Sequence, residues 1–261
     1  MISITNLQKS YKTQVVLDIP TLEIQSNEMV ALVGNNGAGK STLFKLLLDL
    51  IAATQGEVFI GGVDVSKSEE WKDYTTAYLD NSFLLEYLTP TEYFETLAII
   101  ANISKEDLEH ELDKYRTYLG EDNLSNKKYI RNLSAGNQQK VGIVGAMLTK
   151  PKVLILDEPF NYLDPTSQEK TKQLLKRFRT ENNSLVIVSS HNLEHVLTIS
   201  TRVLLLENGV ILKDLVGDVN SINREIHDYF SLEDESINTE IEDTPPPLPT
   251  ENTQQDGKEE I

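Results

Sequence analysis

The 261-residue chain has no cysteine. Disulfides, thiolate metal sites and cysteine nucleophiles are therefore excluded, and nothing calls for an oxidising compartment. It also lacks long apolar runs. The start, "MISITNLQKSYK", has no apolar stretch of signal-peptide length. The greasiest segment, "LFKLLLDLIAA", is broken by Lys45 and Asp49 and is too short to span a bilayer. Excess positive charge is missing as well: the formal net charge is −17, and a run of ten acids against Lys258 after Ser231 carries much of it. A nucleic-acid partner would need a basic surface for its phosphates, so none is expected. These absences point to a cytoplasmic protein that reaches a membrane only by docking onto something in it.

The chain does hold alternation. "SITNLQ", "QVVLDIP" and "TLEIQ" read as short antiparallel strands near the start, and "GEVFIGGVDV" as a hairpin. "MVALVG" is a buried strand, followed by "STLFKLLLDLI" at helical period with Leu43, Leu46, Leu47 and Leu50 on one face. From about Ser82 to Arg131 the character turns helical, with "TPTEYFETLAIIANI" and "SKEDLEHELDKYRTYL" each opening on a cap-like residue. Strands and helices alternate again through "NQQKVGIVGAMLT", "KVLILD", "TSQEKTKQLLKRFR", "SLVIVSS" and "NLEHVLTIS", ending in a hairpin with Asn-Gly at its turn and the short helix "SINREIHDYF". Such alternation implies a largely parallel sheet covered on both faces. The acidic, proline-rich residues 231–261 are expected to be a disordered tail.

"GNNGAGKST" matches the phosphate loop at every fixed position: Gly34, then Asn35, Asn36, Gly37, Ala38, Gly39, Lys40, Ser41 and Thr42. Its glycines let backbone N–H groups converge on phosphates, and the following helix adds its positive end. Lys40 can reach the β and γ phosphates, and Ser41 can ligate Mg²⁺. "VLILDEP" supplies the partner strand, with Asp157 for the Mg²⁺ shell and Glu158 suited to orient or deprotonate a water.

"LSAGNQQKV", Leu133 to Val141, then makes the pattern specific. Together with "LILDEP", "FNYLD" and "SSH" in that order, it resembles the signature of the ATP-binding-cassette (ABC) family over roughly residues 1–215. The resemblance implies an α/β P-loop NTPase: a mainly parallel RecA-like sheet, an N-terminal antiparallel β-subdomain and an inserted helical subdomain at about 82–145, within a domain of residues 1–230. It implies ATP and Mg²⁺ as ligands and ATP hydrolysis as the activity.

It also implies that two such domains stack head to tail. Each ATP would lie between one loop and the Ser134 and Gly136 region of the other domain. Tyr11 resembles the aromatic that stacks on adenine, Asp164 the aspartate that bridges the subunits, and His191 the histidine that contacts the γ-phosphate. Asn81 stands where the family usually has the glutamine or glutamate that contacts Mg²⁺ and the water, which makes it a third metal-ligand candidate beside Ser41 and Asp157, one methylene shorter than glutamine. Asp80 stands in place of a proline. The family's commonest use is to drive a separate polytopic membrane permease, and "LLEYLTPTEYFETLA" resembles the docking stretch of ATPases paired with export-type permeases. The partner cassette is then a second copy or a different chain. The rival is a non-transport ATPase of the family. A very long coiled coil is ruled out by the 94-residue interval between Lys40 and Ser134, and a small-molecule P-loop kinase leaves "LSAGNQQK" unexplained.

Overall fold

Every residue of β3 (Met29–Val33) is buried, because this strand lies inside a parallel sheet with both faces covered. β8 (Leu185–Ser190) and β9 (Arg202–Glu207) pair with it in parallel, one on each side. The full order is β10-β9-β3-β8-β7-β6, with β6 (Thr75–Tyr78) and β7 (Val153–Leu156) also parallel and β10 (Val210–Val216) folding back antiparallel. The β9–β10 turn is Asn208-Gly209, both at positive φ (46° and 81°), as a two-residue hairpin turn requires. A second, antiparallel sheet has the order β2-β1-β4-β5, from β1 (Ile2–Tyr11), β2 (Gln14–Ile24), β4 (Gln55–Ile60) and β5 (Val63–Asp64). This computed structural model describes residues 1–120, 128–217 and 219–226. The acidic tail lies outside them, as does His227. The chain divides into two units, Met1–Ile222 and Asn223–Ile261; everything below lies in the first.

Two sequence readings change. The first thirty residues hold two long strands, not three short ones, because β2 runs through Pro20. Pro20 is tolerated because β2 is an edge strand, where a missing N–H breaks no ladder bond. The helix after the phosphate loop, α1 (Lys40–Leu47), is also shorter than the periodicity suggests. The chain turns at Asp49 (φ 50°), so Leu50 is 49% exposed while Leu43, Phe44, Leu46 and Leu47 are buried.

The helical insertion begins with α2 (Pro90–Ile100) and α3 (Lys105–Leu119). Thr89 and Glu92 form a reciprocal capping box for α2, and Ser104 caps α3. α4 (Ala135–Met147) carries the signature, with Ser134 as its N-cap accepting from Asn137 N–H. α5 (Pro165–Asn182) is capped by Asp164, and α6 (Leu193–Leu197) is a short piece after β8. Trp71 packs in the core, with its indole N–H donating to Val65 O. His195 is half-buried against the Phe160 ring, and burial, ahead of the neighbouring Lys172 charge, holds its imidazole below the ordinary value. His110 is exposed. No helix among the described residues is long and apolar enough to cross a membrane.

Candidate active site

The parallel register decides which residues meet. Val33 lies opposite Ser190, Leu156 opposite Val188 and Tyr78 opposite Leu156. One step further along each strand, Gly34, His191, Asp157 and Leu79 therefore emerge at one edge, the carboxyl end of the sheet, where open α/β folds place their ligands.

The phosphate loop is shaped by close approach. A Cβ on Gly34 would sit 2.2 Å from Leu206 O, so only glycine lets the loop pass β9. Gly39 has φ 109° and starts α1, a conformation that side-chain-bearing residues avoid. Ala38 N–H donates to Asn35 O, and Gly209 N–H donates to Ala38 O, so the β9–β10 turn props the loop from behind. Asn35, Asn36 and Gly37 are exposed at its crest. Thr42 lines the same hollow as Asn36, Gly37, Gly39, Lys40, Ser41 and Glu158. The buried Lys40 ammonium donates to Gly34 O at 2.6 Å and lies 3.4 Å from Glu158 Oε1.

Ser41 Oγ donates to Asp157 Oδ2 at 2.6 Å. Both are oxygen ligands of the hard kind that Mg²⁺ prefers, and Asn81 lines the same hollow as this pair and Glu158. Among the described residues no group of three or more His, Asp or Glu could hold a metal unaided. Two protein oxygens suit a cation that shares its coordination with substrate phosphates. Glu158 Oε2 lies 2.9 Å from His191 Nδ1. The Glu158 carboxylate is thus flanked by a lysine and a histidine at the mouth of the loop.

Tyr11, at the end of β1, is 54% exposed, with the Lys9 ammonium 4.9 Å from its ring centre. A core-facing tyrosine is excluded by that exposure. Ser134, Gly136 and Asp164 line neither hollow. Ser134 and Asp164 are exposed. A Cβ on Gly136 would meet Tyr162 O at 2.6 Å, so the signature turn is seated on the segment that leads from Glu158 to Asp164. Asp164 accepts from Ser167 N–H and Oγ–H, and these bonds, the hydroxyl's first, hold its carboxyl below the usual range.

Three residues meet this site through contacts that the motifs do not show. Ser189, fully buried, donates its hydroxyl to Asp157 Oδ1 and accepts from Glu158 N–H. Gln139 donates to Glu158 O at 3.1 Å, and Tyr78 bonds Gln139 and Asn81. Ser189 sits in the quoted "SSH" and Gln139 in "QQK", but their partners follow from register and packing.

The family model described as ABC transporter matches residues 17–161. The lantibiotic transport ATP-binding protein SrtF of Streptococcus pyogenes is 31% identical over 196 residues, covering 75% of this chain and 82% of that one. The tungstate uptake system ATP-binding protein TupC of Peptoclostridium acidaminophilum is 27% identical, covering 80% and 95%. A dimeric post-hydrolysis structure of the ATP-binding cassette MJ0796 bound to ADP and phosphate superposes with a TM-score of 0.75 at 25% identity, covering 83% of this chain and 98% of that one. With its phosphate loop and adjacent acids at the ends of a parallel sheet, the chain belongs to the ABC transporter family, as an ATP-hydrolysing ATP-binding subunit.

Proposed function

We propose that this subunit closes on ATP as a head-to-tail dimer and opens on hydrolysis, powering a separate polytopic permease of the export type at the inner face of the membrane. The observation that carries the hydrolytic step is the placement of Glu158, between Lys40 and His191 at the mouth of the phosphate loop. The loop N–H groups and the N-terminal end of α1 hold the phosphates, and Tyr11 offers an open ring for adenine. Lys40 exchanges its bond to Gly34 O for phosphate oxygens. Ser41 and Asp157 would hold Mg²⁺, which when bound would draw charge from the phosphates, and Asn81 lines the same hollow. Glu158 takes a proton from water as the water oxygen bonds to the γ-phosphorus. The bond from that phosphorus to the bridging oxygen of ADP breaks, leaving ADP and phosphate. His191 contacts the γ-phosphate and orients Glu158.

Ser134 and Gly136 of each subunit close over the other's nucleotide, with Asp164 beside the seam. The dimeric state of MJ0796 supports this geometry. For direction, the support is the stretch from Leu84 through α2, which presents Leu85, Tyr87, Ile99 and Ile100 to solvent beside Asn81 in sequence. The relatives include both a lantibiotic transport protein and an uptake protein, so the export reading rests on that stretch alone. Co-purification of the tagged chain from membranes tests it. A polytopic subunit that drives ATP-dependent efflux supports it, and one that drives uptake or no membrane subunit at all overturns it.

Asn81 carries its own expectation. Asn81→Ala lowers permease-coupled turnover about tenfold while ATP affinity stays within about twofold, as expected for a group acting after binding. Asn81→Gln retains or raises the rate. Normal turnover in the alanine variant would remove Asn81 from the site.

A further inference from the structure

Beyond Gly136 in its first turn, α4 holds Gly142 and Gly145 in its interior, where each costs roughly 1 kcal/mol relative to alanine. The first has a clear use. A Cβ on Gly142 would lie 2.1 Å from Tyr78 Cε2, so the helix is notched to receive the Tyr78 ring. Tyr78 is the last residue of β6 and is 3% exposed. Burial, chiefly, pushes its phenol well above the ordinary value, so it stays protonated.

The hydroxyl faces two amides. Asn81 Oδ1 is 2.5 Å away and Gln139 Oε1 3.1 Å. A hydroxyl carries one proton, so it donates to one of them at a time. Gln139, also 3% exposed, commits its Nε2 to Glu158 O. The same carbonyl accepts from Asn161 N–H, and Glu158 N–H is held by Ser189 Oγ. These bonds surround a non-glycine residue at φ 48°. Such a conformation persists only where its surroundings impose it. An aliphatic side chain would fill the Gln139 position equally well. A buried amide instead lets the helix donate to Glu158 O while its own oxygen stays within reach of the Tyr78 hydroxyl.

We propose that Tyr78 and Gln139 are positioning residues for Glu158, forming a relay in which the Tyr78 hydroxyl turns its proton from Asn81 to Gln139 when Asn81 is engaged by bound nucleotide. This rests on the reading of Glu158 as the group that activates water. With the Tyr78 hydroxyl donating to Gln139 Oε1, the Gln139 N–H becomes a stronger donor, because hydrogen bonds in a chain polarise one another, and Glu158 is held more firmly. The relay also reaches the other nucleotide. Gln139 lies five residues after Ser134, the N-cap of the same helix. The helix that closes over the partner's ATP is therefore tied to the backbone of the chain's own Glu158.

Tyr78→Phe keeps the ring in the Gly142 notch and removes the hydroxyl; Gln139→Met keeps the length and removes the amide. In the full chain, each is expected to lower kcat about tenfold with KM for ATP within about twofold. Because they share one relay, the double variant is expected to be no slower than the slower single. Amide exchange, which needs no turnover, is expected to quicken at residues 158–161 in both variants and to stay unchanged in β3 and β8. Additive losses of kcat, a change confined to KM, or unaltered exchange at 158–161 would overturn the relay. If Glu158→Gln is inactive while the relay variants are fully active, the relay fails and the role of Glu158 stands. If Glu158→Gln is active, the role of Glu158 fails, and the exchange result still decides whether Tyr78 and Gln139 hold its backbone.

Discussion

Glu158→Gln lowers ATP turnover by about 10²-fold or more, the loss expected for a positioned general base, and leaves ATP binding intact or tighter. The shape of the side chain is kept, so the hollow between the phosphate loop and Asn81 does not change. What is lost is a carboxylate that can accept a proton. The effect on binding follows from Lys40. Its ammonium is 3.4 Å from Glu158 Oε1, an attraction that any phosphate must replace. Neutralising Glu158 removes that competition. Asp157 is untouched: Ser41 and Ser189 keep their bonds to it. Turnover by rapid-quench phosphate release and affinity by calorimetry check the two halves. A variant that hydrolyses ATP normally, with permease and partner present, would contradict the role given to Glu158.

Ser134→Arg abolishes the ATP-dependent dimer while each monomer still binds ATP. Ser134 is exposed at the start of α4 and lines neither hollow of its own chain. The end of a helix that carries free N–H groups attracts anions, and a long cationic side chain there fills the space the partner's phosphate would enter. Part of the damage is local, because Ser134 also caps α4. Ser134→Ala separates the two effects. It costs about 1 kcal/mol of stability through the lost cap and is expected to weaken the dimer without abolishing it. Equal dimerisation by the arginine variant and the unaltered chain would place the signature away from the seam.

The parts of this site legible in the chain are the contiguous ones. A phosphate loop, its strand and its helix occupy consecutive residues, and so do Asp157 with Glu158 and Ser134 with its helix. Local chemistry decides each of them, and the caps at Thr89, Ser104 and Ser134 are likewise written in single residues. The remainder depends on register. Ser189 meets Asp157 because β7 and β8 pair in parallel with Leu156 opposite Val188, and no local pattern encodes that pairing. Tyr78 meets Gln139 across 61 positions through the notch at Gly142. Pro20 reads as a strand break until the edge position of β2 is known, and Leu50 reads as core until the chain turns at Asp49.

Light scattering of Glu158→Gln with and without ATP is the most direct test of ATP-driven closure of the dimer. Adding ATP is expected to shift the variant to a particle of twice the 29.4 kDa chain mass, or to a pair with the transporter's other cassette where that chain is supplied, and to leave the Glu158→Gln/Ser134→Arg double variant unshifted. A particle that binds ATP yet keeps the single-chain mass, with the other transporter subunits present, would contradict it.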